Sequence, residues 1–235
     1  ALHTLTTRHE ALRTRFVEHN GLPRQIIDPP PADRPMTVVD IPADSVDTWV
    51  TEQVNRRLGL ATGPVFRTAL ARIAPDDHVL VLVVHHIVAD GWSVGILTTE
   101  LTSLYAAETG LTAENPLPEL PEPNIQPADH AAWQRARLDD DEFTRQLDHW
   151  RTTLADLPTI EFPTDRPRPA HPTGAGARVD RLLPHDLTSA AHRYARTNHV
   201  SFLAIHHAAL LTVLHRYTGQ TDLPIGSILS GRTHT

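Results

Sequence analysis

The chain has 235 residues and a mass of 26.1 kDa, is 40% hydrophobic and 21% charged, and carries a formal net charge of -7. That is enough apolar material for a core, which excludes the fibrous and disordered classes. The acidic balance, with a pI near 6.1, repels phosphate backbones and argues against a nucleic-acid binder.

In chain order, Leu2, Leu5, His9, Leu12 and Phe16 recur at helical spacing, so residues 1–18 are expected to form one amphipathic helix ending before Gly21. Gln25 to Ile27 and Met36 to Ile41 read as short strands around a Pro-rich turn. Val46, Trp49, Val50, Val54 and Leu58 make one face of a second helix, with Asp44 and Ser45 as cap candidates. Residues 66–73 and the apolar run 79–84 flank Pro75, Asp76 and Asp77, which predicts an antiparallel hairpin with a buried second strand. That strand runs into His85, His86 and Asp90-Gly91, after which Val94, Leu97, Leu101, Leu104 and Tyr105 mark a helix closed by Gly110. Residues 112–127 read as a Pro-rich linker, followed by a helix with Trp133 and another with Phe143, Leu147, Trp150 and Leu154. A Pro and Gly cluster at 158–176 suggests a lobe boundary. Beyond it are expected a strand at 177–183, a helix from about Leu187, an apolar helix at 202–217 and a strand at 223–229. The class is α/β, with helices packed on mixed sheets.

Strand, polar loop, helix is an architecture that often carries chemistry, and 85–91 (His-His-Ile-Val-Ala-Asp-Gly) is where titratable groups cluster. In an extended strand, successive side chains point to opposite faces, so one of His85 and His86 is expected to face a site and the other to support it. Histidine near neutral pH can take or position a proton, Gly91 lets backbone approach a ligand, and Asp90 can orient a histidine or anchor an arginine. Metal ligation ranks low because the two histidines diverge and no further ligand cluster stands nearby. His206 and His207, mid-helix among Ala208, Leu210 and Leu211, read as packing. Cysteine is absent, which removes disulfides, a thiolate nucleophile and cysteine-ligated metal, and points to a reducing cytoplasm. All 21 basic residues are arginine, so there is no lysine nucleophile either. The apolar run 79–84 is far below the roughly 20 residues that span a bilayer. With no initiating Met and a helix under way from the first residues, the chain reads as a piece of something longer.

His85-His86-Ile-Val-Ala-Asp90-Gly91-Trp92-Ser93 resembles the signature of the condensation domains of nonribosomal peptide synthetases, in the chloramphenicol acetyltransferase-like superfamily. Arg8-His9-Glu10-Ala11-Leu12-Arg13-Thr14-Arg15-Phe16 is similar to that family's early motif. Ala128-Asp129-His130-Ala131-Ala132-Trp133-Gln134-Arg135 resembles its third motif, with Pro127 where an aromatic is usual. His215-Arg216-Tyr217-Thr218-Gly219-Gln220, then Gly226 and Gly231-Arg232, fall where the family passes from helix to strand in its second lobe.

The resemblance implies a chloramphenicol acetyltransferase-like two-lobe fold. Residues 1–175 would be the N-terminal lobe with its start missing, and 176–235 the beginning of a truncated C-terminal lobe. It implies an amide-forming acyltransferase that joins a carrier-tethered aminoacyl or peptidyl thioester donor to an aminoacyl acceptor, with the isolated segment inactive. His86 would be catalytic, as general base or as holder of the amine, while His85, Asp90, Gly91, Trp92, Ser93 and Arg13 support the site. Asp90 is expected to pair with Arg13. No cofactor is expected to bind directly, the substrates riding on phosphopantetheine arms of partner carrier domains, with an adenylation domain adjacent. Asp90-Gly91-Trp92-Ser93-Val94-Gly95 looks like a condensing member, and the Arg8-His9-Glu10 pattern is closest to the subtype that accepts an L-configured donor. Ester formation by a related acyltransferase and a non-catalytic carrier-docking module are the alternatives.

Overall fold

The computed structural model describes residues 1–32, 36–110, 120–138, 141–167, 169–171, 174 and 176–228. Two compact units, 1–144 and 145–235, make up the chain. The lobe boundary expected within 158–176 lies inside the second of them.

The first departure from expectation comes at the start. Helix α1 covers only Leu2–Arg8, a 3-10 turn follows at Glu10–Arg13, and Thr14–His19 is strand β1, paired antiparallel with β2, Leu22–Ile27. The reason is the two-residue connection Asn20-Gly21, with φ of 54° and 75°. Two consecutive positive φ values make the tight hairpin turn whose twist suits paired strands, and Asn-Gly is its strongest sequence signal. Helical spacing up to Phe16 coincides with a β-branched and aromatic strand.

Strand β3 (Thr37–Asp40) pairs parallel with β4 (Phe66–Ala74), which pairs antiparallel with β5 (Asp77–Val84). The expected hairpin is present, yet the buried strand is β4, central in the order β3-β4-β5. Of β5 only Val81 is buried, and Leu80 remains 43% exposed. Its unbroken apolar run has another cause, since the sheet is covered on both faces. Helix α2 (Val46–Asn55) lays Trp49 on Ala69, Ala71 and Val81, with Val79 and Val83 alongside. On the opposite face Leu5 and Leu12 meet Phe66 and Leu97 of helix α3 (Gly91–Thr109), with Leu82 and Val84 against them. Odd and even positions of β5 thus serve different cores. Helix α2 stops at Asn55, before Leu58, and Arg67 donates to the Gln53 and Arg56 carbonyls at its end, at 2.7 and 2.9 Å. A cation there meets the negative pole of the helix. Burial, and then the charge of Arg56, push the Arg67 guanidinium down from its ordinary value. Gly110, with φ of 71°, closes α3 as expected. Helix α4 covers Pro127–Ala136.

In the second unit, most of α5 (Asp141–Thr153) precedes α6 (His185–Thr197) and α7 (Phe202–Thr218). Ser201 Oγ caps α7 by accepting from Ala204 N at 3.1 Å, and His192 stacks on Phe202 with centroids 3.9 Å apart. The strands expected at 177–183 and 223–229 do not form among the described residues. Val179, Leu182 and Ile228 are 94%, 96% and 100% exposed, and an alternating pattern without a partner strand has no ladder to join. Residue 229, Gly231 and Arg232 lie outside the described residues.

Candidate active site

Strand β5 ends at Val84, and the ladder continues one bond further: His85 N donates to the Val65 carbonyl at 2.9 Å. Residues 86–88 then turn, with Val88 N donating to His85 O at 3.0 Å. The half-buried His85 accepts a hydrogen bond at Nδ1 from Ile87 N at 3.0 Å, which makes Nε2–H its neutral tautomer. His86 is exposed and makes no hydrogen bond with the described residues. The two side chains differ in environment, His85 bonded to the loop backbone and His86 exposed, and the strand has already ended at Val84. Strand alternation is not the cause.

Asp90 begins α3. Its Oδ1 accepts from Ser93 N at 2.8 Å and from Ser93 Oγ at 2.6 Å, an N-cap that satisfies one of the helix's unpaired donors. The expected pairing with Arg13 is not made. Arg13 donates to the Asp28 carbonyl at 2.5 Å and to Glu10 at 3.4 Å, because the β1–β2 hairpin holds it beside Asp28. Its neighbour Arg15 grips the Asp28 carboxylate with two bonds of 2.6 and 2.8 Å. This bonding holds the Asp28 carboxyl below, and the Arg15 guanidinium above, their usual ranges. Asp90→Ala is expected to cost at least the worth of an N-cap, about 1 kcal/mol, through loss of the two bonds to Ser93. Urea unfolding of the variant measures this directly.

Gly91 is exposed at the first turn, where a Cβ would meet no atom within 4 Å. Trp92 is 69% exposed. Together with Gly95, Ile96, Thr99 and Glu100 they line an open groove of about 500 Å³ along one face of α3.

Glu100 and its partners were not legible as site residues. Its Oε2 accepts from His9 Nε2 at 2.7 Å and Arg8 Nε at 3.2 Å. Burial pushes the Glu100 carboxyl up, but the bonds from Arg8 and His9 outweigh it and hold the group below the usual carboxylate value. Arg8 also donates to Pro121 O at 2.7 Å, while Gln126 bonds the Arg8 carbonyl and Glu10 N, at 2.9 and 3.2 Å. Asp129, in the third motif, accepts from Gln126 N at 3.0 Å at the start of α4. The early and third motifs are thus one bonded assembly. Because the Glu100 pKa is lowered in the folded state, its stabilisation is present above the unfolded carboxylate value and lost as pH falls through the folded one. Denaturant midpoints of the native chain should fall across that acid range more steeply than those of Glu100→Gln.

Sheet, helices and a histidine loop at a strand end make an α/β fold, and comparison with known proteins places it in a family. The condensation-domain family model matches residues 1–235, and the chain belongs to that family. It is 41% identical over 248 residues to phosphinothricin tripeptide synthetase PhsC of Streptomyces viridochromogenes, covering 99% of this chain and 22% of that protein. It is 37% identical over 239 residues to the dimodular nonribosomal peptide synthase of Bacillus subtilis, covering 99% and 10%. Among solved structures it is similar to SgcC5 of Streptomyces globisporus, with TM-score 0.73, 30% identity and coverage of 99% and 53%. The X-domain from teicoplanin biosynthesis gives TM-score 0.80 and 28% identity, covering 94% and 49%. The chain thus spans about half the length of these structures and a smaller share of the synthetases. Among the described residues no helix is long and apolar enough to cross a membrane.

Proposed function

We propose that the protein forms a peptide bond between a donor acyl thioester and an acceptor aminoacyl thioester, each tethered to a carrier domain by a phosphopantetheine arm. Membership of the condensation family supports the class of reaction. The observation that carries the assignment of roles is the contrast between His85, tied to the loop backbone, and the exposed His86, which makes no hydrogen bond with the described residues. The acceptor amine attacks the donor carbonyl, a tetrahedral oxyanion forms, and the carrier thiol leaves as the amide is made. His86 takes the proton from the amine or holds the amine in line; an activated thioester asks for orientation and charge stabilisation more than for a strong base. Gly91 leaves space beside the reacting carbonyl, Asp90 and Ser93 fix the helix start, and Trp92 walls the groove. Arg13 supports the hairpin.

The donor is L-configured in this reading, the setting is the cytoplasm, and upstream and downstream carrier domains and an adenylation domain are the partners. Residues 1–175 are assigned to a first lobe and 176–235 to the start of a second, on the Pro- and Gly-rich stretch between them. The test is a condensation assay with the full-length protein and separately loaded donor and acceptor carriers, read by mass spectrometry for the amide. A second reading, a docking module without turnover, is favoured by the likeness to the teicoplanin X-domain, which has been solved in complex with OxyB. Carrier binding without any amide product would select it.

A further inference from the structure

Glu100 holds an asymmetric set of bonds. Oε2 receives both His9 and Arg8, whereas Oε1 accepts no hydrogen bond from the described residues, although the side chain is only 13% exposed. The carboxylate is held ionised by those two donors and forms one end of the groove that starts at Gly91 and Trp92. An acceptor oxygen of that kind gains most from a donor brought to it. The floor of the groove adds a second observation. Gly95 lies inside α3, where glycine disfavours the helix relative to alanine, and a Cβ there would meet nothing within 4 Å. No contact among the described residues calls for glycine, so the open floor suits a ligand lying close to the helix backbone. Trp92, 69% exposed, and Ile96, 36% exposed, give the groove apolar walls.

We propose that Glu100 is a substrate-binding residue: Oε1 accepts a hydrogen bond from an N–H group of the aminoacyl or peptidyl chain lying along α3, whose apolar part rests on Trp92 and Ile96. This rests on the condensation reading above and names a chemical feature of its substrate. Arg8 neutralises the carboxylate and His9 helps to orient it, so it selects for an N–H donor and not simply for positive charge.

The experiment uses the full-length protein with carrier-bound substrates in matched pairs that differ only by N–H against N–CH₃. One arm varies the donor and the other the acceptor, which tells which chain occupies the groove. The expected result is a preference for N–H of about tenfold or more in one arm, the worth of a hydrogen bond to a charged group. Glu100→Gln should reduce that preference to within about twofold. Arg8→Gln, which removes the bonds to Oε2 and to the Pro121 carbonyl but leaves Oε1 and His9 in place, should lower thermal stability and weaken the preference much less than Glu100→Gln does. Gly95→Leu fills the floor at a position where a Cβ meets no atom within 4 Å and should raise KM about tenfold in the same arm. The proposal is overturned if the wild type turns over with no N–H preference in either arm, if Glu100→Gln keeps it, if Arg8→Gln abolishes it equally, or if Gly95→Leu leaves KM unchanged. Absence of amide product with every substrate would instead overturn the condensation reading, and with it this proposal.

Discussion

His86→Ala in the full-length protein should lower amide formation by 10² to 10⁴, roughly 3 to 5 kcal/mol of barrier, if the imidazole takes the proton of the attacking amine. A positioning role gives a smaller loss that varies with the acceptor. The side chain is exposed and makes no hydrogen bond with the described residues, so melting temperature and carrier affinity should stay near those of the parent. His85→Ala is the contrasting variant. It removes the Nδ1 acceptor of Ile87 N–H and should cost about 1 kcal/mol of stability, with activity following the folded fraction. Turnover per folded molecule decides between the two. A larger loss for His85→Ala means that the roles are reversed, and less than a tenfold loss for both removes the loop from the chemistry.

Phe66→Ala should give the largest loss of stability, about 3 to 5 kcal/mol, comparable with much of the total stability of an ordinary domain. Phe66 is 1% exposed and joins Leu5, Leu12 and Leu97 at the first residue of β4. Removing its ring takes away the contact surface of α1, the 3-10 turn and α3 together, and a cavity bounded by three elements collapses poorly. The same position is paired with Val84, next to His85, and follows Val65, whose carbonyl anchors His85 N. The expected signature is a lower urea midpoint with an unchanged slope. A cost under about 1 kcal/mol would mean that this cluster is not a sealed core.

Part of this molecule was written in local pattern. The hairpin β4–β5 around Pro75 to Asp77, helix α3 with its Gly110 stop and the helix at 202–217 all follow from periodicity and caps within one stretch of chain. The motifs around His86, Arg8 and Trp133 sufficed for the family, since their order survives whatever packs on them. Local pattern also misled where two periods coincided. Residues 14–16 satisfied a helix repeat, and the Asn20-Gly21 turn, whose meaning depends on a strand on each side, made them β1.

The sequence by itself determined the class of fold, the family and the place of the histidine loop, because these depend on residue order and short-range periodicity. The tertiary structure alone decided what the individual side chains do. Arg13 is held at Asp28 by the hairpin and makes no pair with Asp90. His9 and Glu100 stand 91 positions apart and meet at 2.7 Å only because α1 and α3 pack on the same face of the sheet. Contacts of that separation are fixed by apolar burial on both sides of β4 and β5, and no spacing within a single segment encodes them.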